Sequence, residues 1–160
     1  MLGLALGMPN CTNMGGRILT EEAKRIFLPS GILREGSSHY HALLTLNYAA
    51  AHRAALKHKR PEAGILGEVV ERACSALKIL ALPGGMPLVG DISPDCPPTL
   101  VMDGLQKMLA AAPDVDKAAL ENDGWLRFDD DLWNALWHSA PEGWSHMPGH
   151  GHQDCGSFEV

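Results

Sequence analysis

Two short polar clusters in this chain carry side chains suited to proton transfer or metal binding. The first is Glu35-Gly36-Ser37-Ser38-His39-Tyr40-His41, where a loop enters a predicted helix. A tyrosine between two histidines at a helix N-terminus lies near backbone N–H dipoles that favour the phenolate. Tyr40 can then remove or deliver protons if its pKa falls towards the working range. The plainer alternative is that Tyr40 is core packing, since it also begins an apolar stripe, with His39 and His41 solvated. The second cluster is His146-Met147-Pro148-Gly149-His150-Gly151-His152-Gln153-Asp154. If residues 150–154 are extended, His150, His152 and Asp154 project from one face, because strand side chains alternate. Two imidazoles and a carboxylate on one face can hold a zinc-type ion. One histidine can instead serve as acid, base or a donor that neutralises a carboxylate. The alternative is a Gly-rich surface turn that happens to be rich in His.

A weaker candidate is Gly90-Asp91-Ile92-Ser93-Pro94-Asp95, whose two acids can bind a cation or a sugar hydroxyl. The favoured expectation is simpler: Asp95 or a neighbour caps the next helix. Asp129-Asp130-Asp131 reads as a solvated turn. There is no GxSxG elbow, no phosphate-binding Gly loop and no HExxH.

The elements that must position these clusters are mostly helical. Thr20 followed by Glu21 and Glu22 predicts a helix start, with an end near Leu28, before Pro29. Ser37 or Ser38 caps a longer helix to about His58, with Tyr40, Leu43, Leu44, Asn47, Ala51, Ala54 and Ala55 on one face. A third helix from about Ile65 to Leu80 buries Ile65, Val69, Ala73, Leu77 and Leu80. A fourth, after Pro97-Pro98, buries Val101, Leu105, Met108 and Leu109. Gly/Pro-rich loops join them. Helical hairpins with motif-bearing loops suit an α/α toroid, and a bundle gives the same pattern. Composition changes between Pro113 and Gly124, and all four tryptophans follow that point. Trp125–Phe128 and Leu136–His138 read as short strands, and Cys155–Val160 as a strand that stops mid-pattern.

Composition narrows the function classes. Hydrophobic residues make up 46% and charged residues 20% of the 160, an ordinary globular balance that argues against disorder. The net charge is −6 with His neutral, and cations are scattered except for Lys57-His58-Lys59-Arg60. That disfavours a nucleic-acid binder built on a basic stripe, but it leaves room for an anionic sugar, because a few cations in a cleft outweigh the mean. The cysteines Cys11, Cys74, Cys96 and Cys155 are widely spaced with no CxxC pair. They fit neither a disulfide framework nor a zinc finger and are expected to be buried or idle thiols. No apolar run approaches the roughly 20 residues of a membrane span. The apolar start, Leu2 to Met8, has no basic n-region or clear cleavage site and so is not a signal peptide. It is expected to be the end of a core helix that begins upstream.

Taken in order, these segments resemble the heparinase II/III-like polysaccharide lyases. Residues 35–41 look like that family's E-x-S-x-x-Y-H segment, and residues 150–159 like its H-x-H-x-D-x-x-S-F-E segment, which opens a β-domain. Leu82-Pro83-Gly84-Gly85 followed by Gly90-Asp91 is similar to its linking loop. The resemblance implies a mainly α fold. Residues 1–120 would be a partial (α/α) toroid of helical hairpins, and residues 121–160 the start of an antiparallel β-sandwich domain. It implies β-elimination on a uronic-acid-containing polysaccharide, with Tyr40 the proton donor and open to the base role as well. His150 would handle the proton or the carboxylate, and Glu35, His39 and His41 would lie against the sugar. His152, with Asp154, would ligate a divalent, zinc-type metal as in metal-bearing members. It also suggests a periplasmic or secreted setting. The segment that neutralises the uronate normally precedes the tyrosine and is not found upstream here. The expectation is therefore an internal piece of a lyase, inactive and marginally stable alone. The competing expectations are a non-catalytic metal- or carbohydrate-binding module, resting on His150, His152, Asp154 and exposed tryptophans, and a purely structural helical domain. Oligomeric state is left open.

Overall fold

In a computed structural model the described residues are 1–81, 86–93, 95–129, 134–138 and 158–159. Among them the helices are α1 (Leu2–Ala5), α2 (Pro9–Ile26), α3 (Ser38–Lys57), α4 (Ala63–Leu80), α5 (Pro98–Ala111) and α6 (Lys117–Asn122). Three short strands follow, β1 (Trp125–Asp129), β2 (Asn134–His138) and β3 (Phe158–Glu159). The fold is mainly helical, as the sequence predicts.

The start of α2 differs from expectation. Pro9 occupies the first turn, where its missing N–H costs nothing, and the helix runs unbroken through Thr20. Thr20 does not cap: its hydroxyl donates back to the carbonyls of Gly16 (3.2 Å) and Arg17 (3.0 Å). The helix stops at Ile26, and Phe27 is already extended. Leu2–Ala5 form a single helical turn, and Leu2, Leu6 and Met8 are exposed.

Ser37 is the cap of α3, its Oγ accepting the Tyr40 backbone N–H at 3.0 Å. The face that α3 buries matches the apolar stripe only at Ala51 and Ala55. Ser38, His41, Ala42, Thr45, Tyr48 and Ala49 are buried, whereas Tyr40, Leu43 and Leu44 are half-buried and Asn47 is exposed. On that face Ser38, His41, Thr45 and Tyr48 all find partners. Thr45 donates to the His41 carbonyl at 2.7 Å, and the Tyr48 hydroxyl to the Leu19 carbonyl at 3.1 Å. Burial, and secondarily the nearby Glu22 carboxylate, raises the Tyr48 pKa.

Helix α3 packs on α4 and α5, and α4 also meets α2 and α5. One core cluster gathers Phe27, Tyr48, Leu66 and Val69 between α2, α3 and α4. A second gathers Ile32, Ala42, Leu77, Val101, Leu105, Leu120 and Trp125. On α4, Val69, Ala73, Leu77 and Leu80 are buried as predicted, but Ile65 is 43% exposed because the packed face starts at Leu66. On α5, Val101 and Leu105 are buried and Met108 and Leu109 half-buried. Asp95 does not cap α5, whose N-cap is Pro97 with no side-chain bond.

β1 and β2 pair antiparallel from Trp125↔His138 to Asp129↔Asn134, and β3 lies against β2. The start of β1 is continuous with the helical core. Trp125 is 3% exposed, so it is not one of the exposed tryptophans expected of a binding module. The Arg127 guanidinium donates to the carbonyls of Ile79 and Ala81, each at 2.8 Å, satisfying the otherwise open C-terminal end of α4. These contacts cross the boundary drawn at residues 120 and 121. Of the cysteines, Cys74 is buried and burial pushes its thiol up to about 11, while Cys11 is exposed and Cys96 intermediate; all three are free. Cys155 lies outside the described residues.

Candidate functional site

The loop before α3 is fixed at both ends. Leu28 N–H donates to the Ile32 carbonyl at 2.8 Å, and Phe27 pairs with Leu33 in an isolated antiparallel bridge. Gly31 sits at φ +89, and a Cβ there would lie 2.3 Å from the Arg72 carbonyl oxygen, so only glycine fits. The Asp123 carboxylate, itself buried, accepts the Ser30 N–H at 2.9 Å and ties this loop to the turn ahead of β1.

His41 lies behind the loop and is fully buried. Its Nδ1 accepts the Leu33 N–H at 3.1 Å, so the ring proton is on Nε2, which donates to the Ala73 carbonyl at 2.9 Å. Burial lowers its pKa to about 4, opposed by the bond to Ala73. The ring also meets Phe27 edge-on, with centroids 5.9 Å apart. His41 therefore clamps the loop, α3 and α4 together and has no open face for a sugar.

The next segment, residues 86–93, is stitched to the first turn of α3 by three consecutive side chains. Ser37 Oγ donates to the Asp91 carbonyl at 2.6 Å. Ser38 Oγ donates to the Pro87 carbonyl at 2.6 Å and accepts the Val89 N–H at 3.0 Å. His39 Nδ1 accepts the Ser93 N–H at 3.0 Å. Gly90, at φ +72, passes so close that an added Cβ would sit 3.0 Å from Ser37 Cα. Residues 35–41 and 86–93, which share Gly90 to Ser93 with the second polar segment singled out in the sequence, thus form one layer.

This layer sorts the candidate residues. Glu35 and Asp91 are exposed and Tyr40 is half-buried, so these three reach the surface. His39 is fully buried, stacked on Tyr40 with ring centroids 6.2 Å apart and 29° between planes. Its Nε2 has no hydrogen-bond partner among the described residues. His39 and His41 are neither solvated nor turned to a substrate; both are internal. His150, His152 and Asp154 lie outside the described residues, and with them the expected approach of His150 to Tyr40 and the expected metal trio. Among the described residues no three His, Cys, Asp or Glu side chains gather to hold an ion. No helix of the described residues is long and apolar enough to cross a membrane. An apolar cavity of about 210 Å³ lies elsewhere, lined by Leu4, Cys11, Ile18, Leu19, Ala55 and Leu66 among others, and includes no residue of the Tyr40 layer.

What the sequence does not reveal is that Ser37 and Ser38 reach the 86–93 segment, that Ser93 bonds His39, and that Asp123 ties down the Ser30 loop. Their only signal is local: serines at a helix start and an acid in a turn. Comparison with protein-family models, curated proteins and solved structures found no match to this chain.

Proposed function

We propose that the Tyr40 layer is the helical half of a polysaccharide-lyase site of the heparinase II/III-like type, acting on uronic-acid-containing chains. The observation that carries the proposal is the joining of residues 35–41 to residues 87–93, which leaves Tyr40, Glu35 and Asp91 at the surface of one rigid layer. In β-elimination a base removes the proton beside the uronate carboxylate. The electron pair forms a carbon–carbon double bond, and the glycosidic oxygen leaves with a proton. Tyr40 is the group suited to supply that proton, because it is the ionisable side chain of the layer that is half-buried and yet open. Glu35 and Asp91 are acceptors for sugar hydroxyls. His150, later in the chain, would complete the acid–base pair, and His152 with Asp154 would hold a zinc-type ion that polarises the carboxylate. The helical hairpins then belong to an (α/α) toroid and the strands to the start of a β-sandwich.

Binding without turnover is the second form of this proposal. It is favoured by the engagement of His39 and His41 inside the protein, which leaves no imidazole of residues 35–41 to neutralise a carboxylate beside Tyr40.

The test is a titration of the chain with a short uronate oligosaccharide, followed by backbone amide NMR. Shifts are expected at residues 35–40 and 86–93, weakened by Tyr40→Phe. The absence of shifts there, or equal shifts with a neutral glucan, would overturn the proposal. Ultraviolet absorbance of an unsaturated product, on heparan sulfate and alginate, separates its two forms. Turnover lost in Tyr40→Phe supports the lyase, and binding with no product supports the module.

A further inference from the structure

The opposite end of α3 carries a charge pattern that the Tyr40 layer does not use. No Asp or Glu occurs between Glu35 and Glu62, in a chain whose net charge is −6. Within that acid-free stretch Arg53, Lys57, His58, Lys59 and Arg60 fall together where the helix ends. Arg60 is engaged: it bonds Glu62 at 3.1 Å and Asn13 at 2.8 Å. Arg53, Lys57, His58 and Lys59 are exposed, and none has an ion pair or side-chain hydrogen bond with another described residue. An open groove of about 490 Å³ runs along Ala50, Arg53, Ala54, Leu56 and Lys57.

The backbone gives a second, independent observation. Helix α3 ends in a motif in which Arg60 N–H reaches the Ala55 carbonyl at 2.8 Å and Lys59 N–H the Leu56 carbonyl at 3.1 Å. That motif needs a left-handed residue at its turn, a position usually filled by glycine. Here it is Lys59, at φ +51, the one non-glycine residue with positive φ among the described residues. A lysine in this conformation is strained, and such strain persists where the surroundings or a function require it. Complementing the helix dipole accounts for cations in the last turn, but any basic residue at an unstrained position would serve it equally well.

We infer that the C-terminal end of α3, with Arg53, Lys57, His58 and Lys59, is a second binding site for an acidic polysaccharide chain. The choice of a sugar chain rests on the lyase proposal. The requirement for a polyanion rests on the charges alone. Tyr40 and Lys57 are 17 residues apart on one helix, about 26 Å at 1.5 Å per residue. Lys57 also lies about 100° round the helix from Tyr40 at 3.6 residues per turn, so a chain that engages both must pass partly round α3 as well as along it. Only a long polymer would be held by the cations. Nucleic acid is disfavoured, because Phe27, Tyr48 and Trp125 are buried, and no described aromatic side chain stands exposed beside the cations to stack on bases. A membrane surface is disfavoured too, because Leu56 is the one exposed large apolar side chain in the acid-free stretch.

The test uses the full 160-residue chain and a heparin-derived oligosaccharide in short and long forms, read by amide NMR and by affinity at low and raised salt. The long form is expected to shift residues 53–60 and to bind more weakly as salt rises. Arg53→Gln with Lys57→Gln should weaken its affinity about tenfold, from the loss of two exposed cations, with the melting temperature unchanged. Shifts at 53–60 without shifts at 35–40 would support this site while overturning the lyase proposal. Shifts at 35–40 alone, or an unchanged affinity in the double variant, would overturn this site while sparing the lyase proposal. Equal or tighter binding of a charge-matched duplex DNA, or of anionic lipid vesicles, through residues 53–60 would overturn the choice of polysaccharide.

Discussion

At the N-terminal end of α3, Ser37, Ser38, His39 and His41 bond backbone groups at Asp91, Pro87, Ser93, Leu33 and Ala73, most of them more than thirty residues away in the chain. At the C-terminal end, Arg53, Lys57, His58 and Lys59 find no such partner among the described residues and stay in water. The contrast separates two uses of polar side chains. Buried ones must be paired, because an unpaired donor or acceptor costs its full desolvation. Once paired they specify how loops sit on a helix. Exposed cations add little to stability and remain available to a ligand. Substitutions at the first end should therefore act on folding, and those at the second on binding.

The largest expected effect is at His41. Replacing it with Ala leaves the Leu33 N–H and the Ala73 carbonyl without partners and opens a cavity beside Phe27. The cost is about 3–4 kcal/mol, measurable by denaturant unfolding. If the cost is below about 1 kcal/mol, His41 is not the clamp between α3, α4 and the loop, and the contrast between the two ends loses its anchor.

Acid should break the same end next. His41 has an ordinary pKa of 6.5 and about 4 when folded. The folded state therefore binds the proton more weakly than the unfolded chain. His41's contribution is fully present above pH 6.5 and is lost as the pH falls towards 4, by roughly 3 kcal/mol in all. Melting temperatures measured across that window should drop in the wild type and drop much less in His41→Gln. Parallel curves would show that carboxylates elsewhere dominate. Arg53→Gln with Lys57→Gln, at the other end of α3, is expected to leave this slope unchanged.

A smaller effect is expected at Ser37, which caps α3 and holds the Asp91 carbonyl with one hydroxyl. Ser37→Ala should cost about 1 kcal/mol and increase amide exchange at residues 86–93. Destabilisation without faster exchange there would mean that Ser38 and His39 suffice to hold the segment.

The sequence made the helix spans legible where a local signal set them. Ser37 marked the start of α3, Pro97-Pro98 the start of α5, and the spacing of Val69, Ala73, Leu77 and Leu80 the packed face of α4. It misled at Thr20, where Thr-Glu-Glu imitates a cap inside a helix that Pro9 had already begun. On α3, His41 was expected against the sugar or in solvent, whereas pairing with the Leu33 N–H and the Ala73 carbonyl takes it inside. The same cause hid the site layer. Tyr40, Glu35 and Asp91 were recognisable by type, but the bonds that bring residues 37–39 to residues 87–93 join positions about fifty apart and leave no periodic trace.

The smallest expected effect has the opposite sign and falls at Lys59. Its left-handed conformation, φ +51, costs a side-chain-bearing residue about 1 kcal/mol relative to glycine. Lys59→Gly also removes a cation that favours the helix C-terminus, a loss of about 0.3–1 kcal/mol at an exposed site. The two terms oppose each other, and the strain is at least as large, so a gain of between about 0 and 0.7 kcal/mol is expected. Lys59→Asn keeps a residue tolerant of this conformation but also drops the charge, and should fall between the two. Denaturant midpoints of the three proteins, read beside their affinity for a long heparin-derived oligosaccharide, give the sharpest form of the comparison. A glycine variant that is more stable but binds less tightly shows stability given up at this turn for a ligand contact. A glycine variant that is less stable and binds equally well shows that Lys59 serves the helix alone, and the cationic end would then differ from the stitched end only in being exposed.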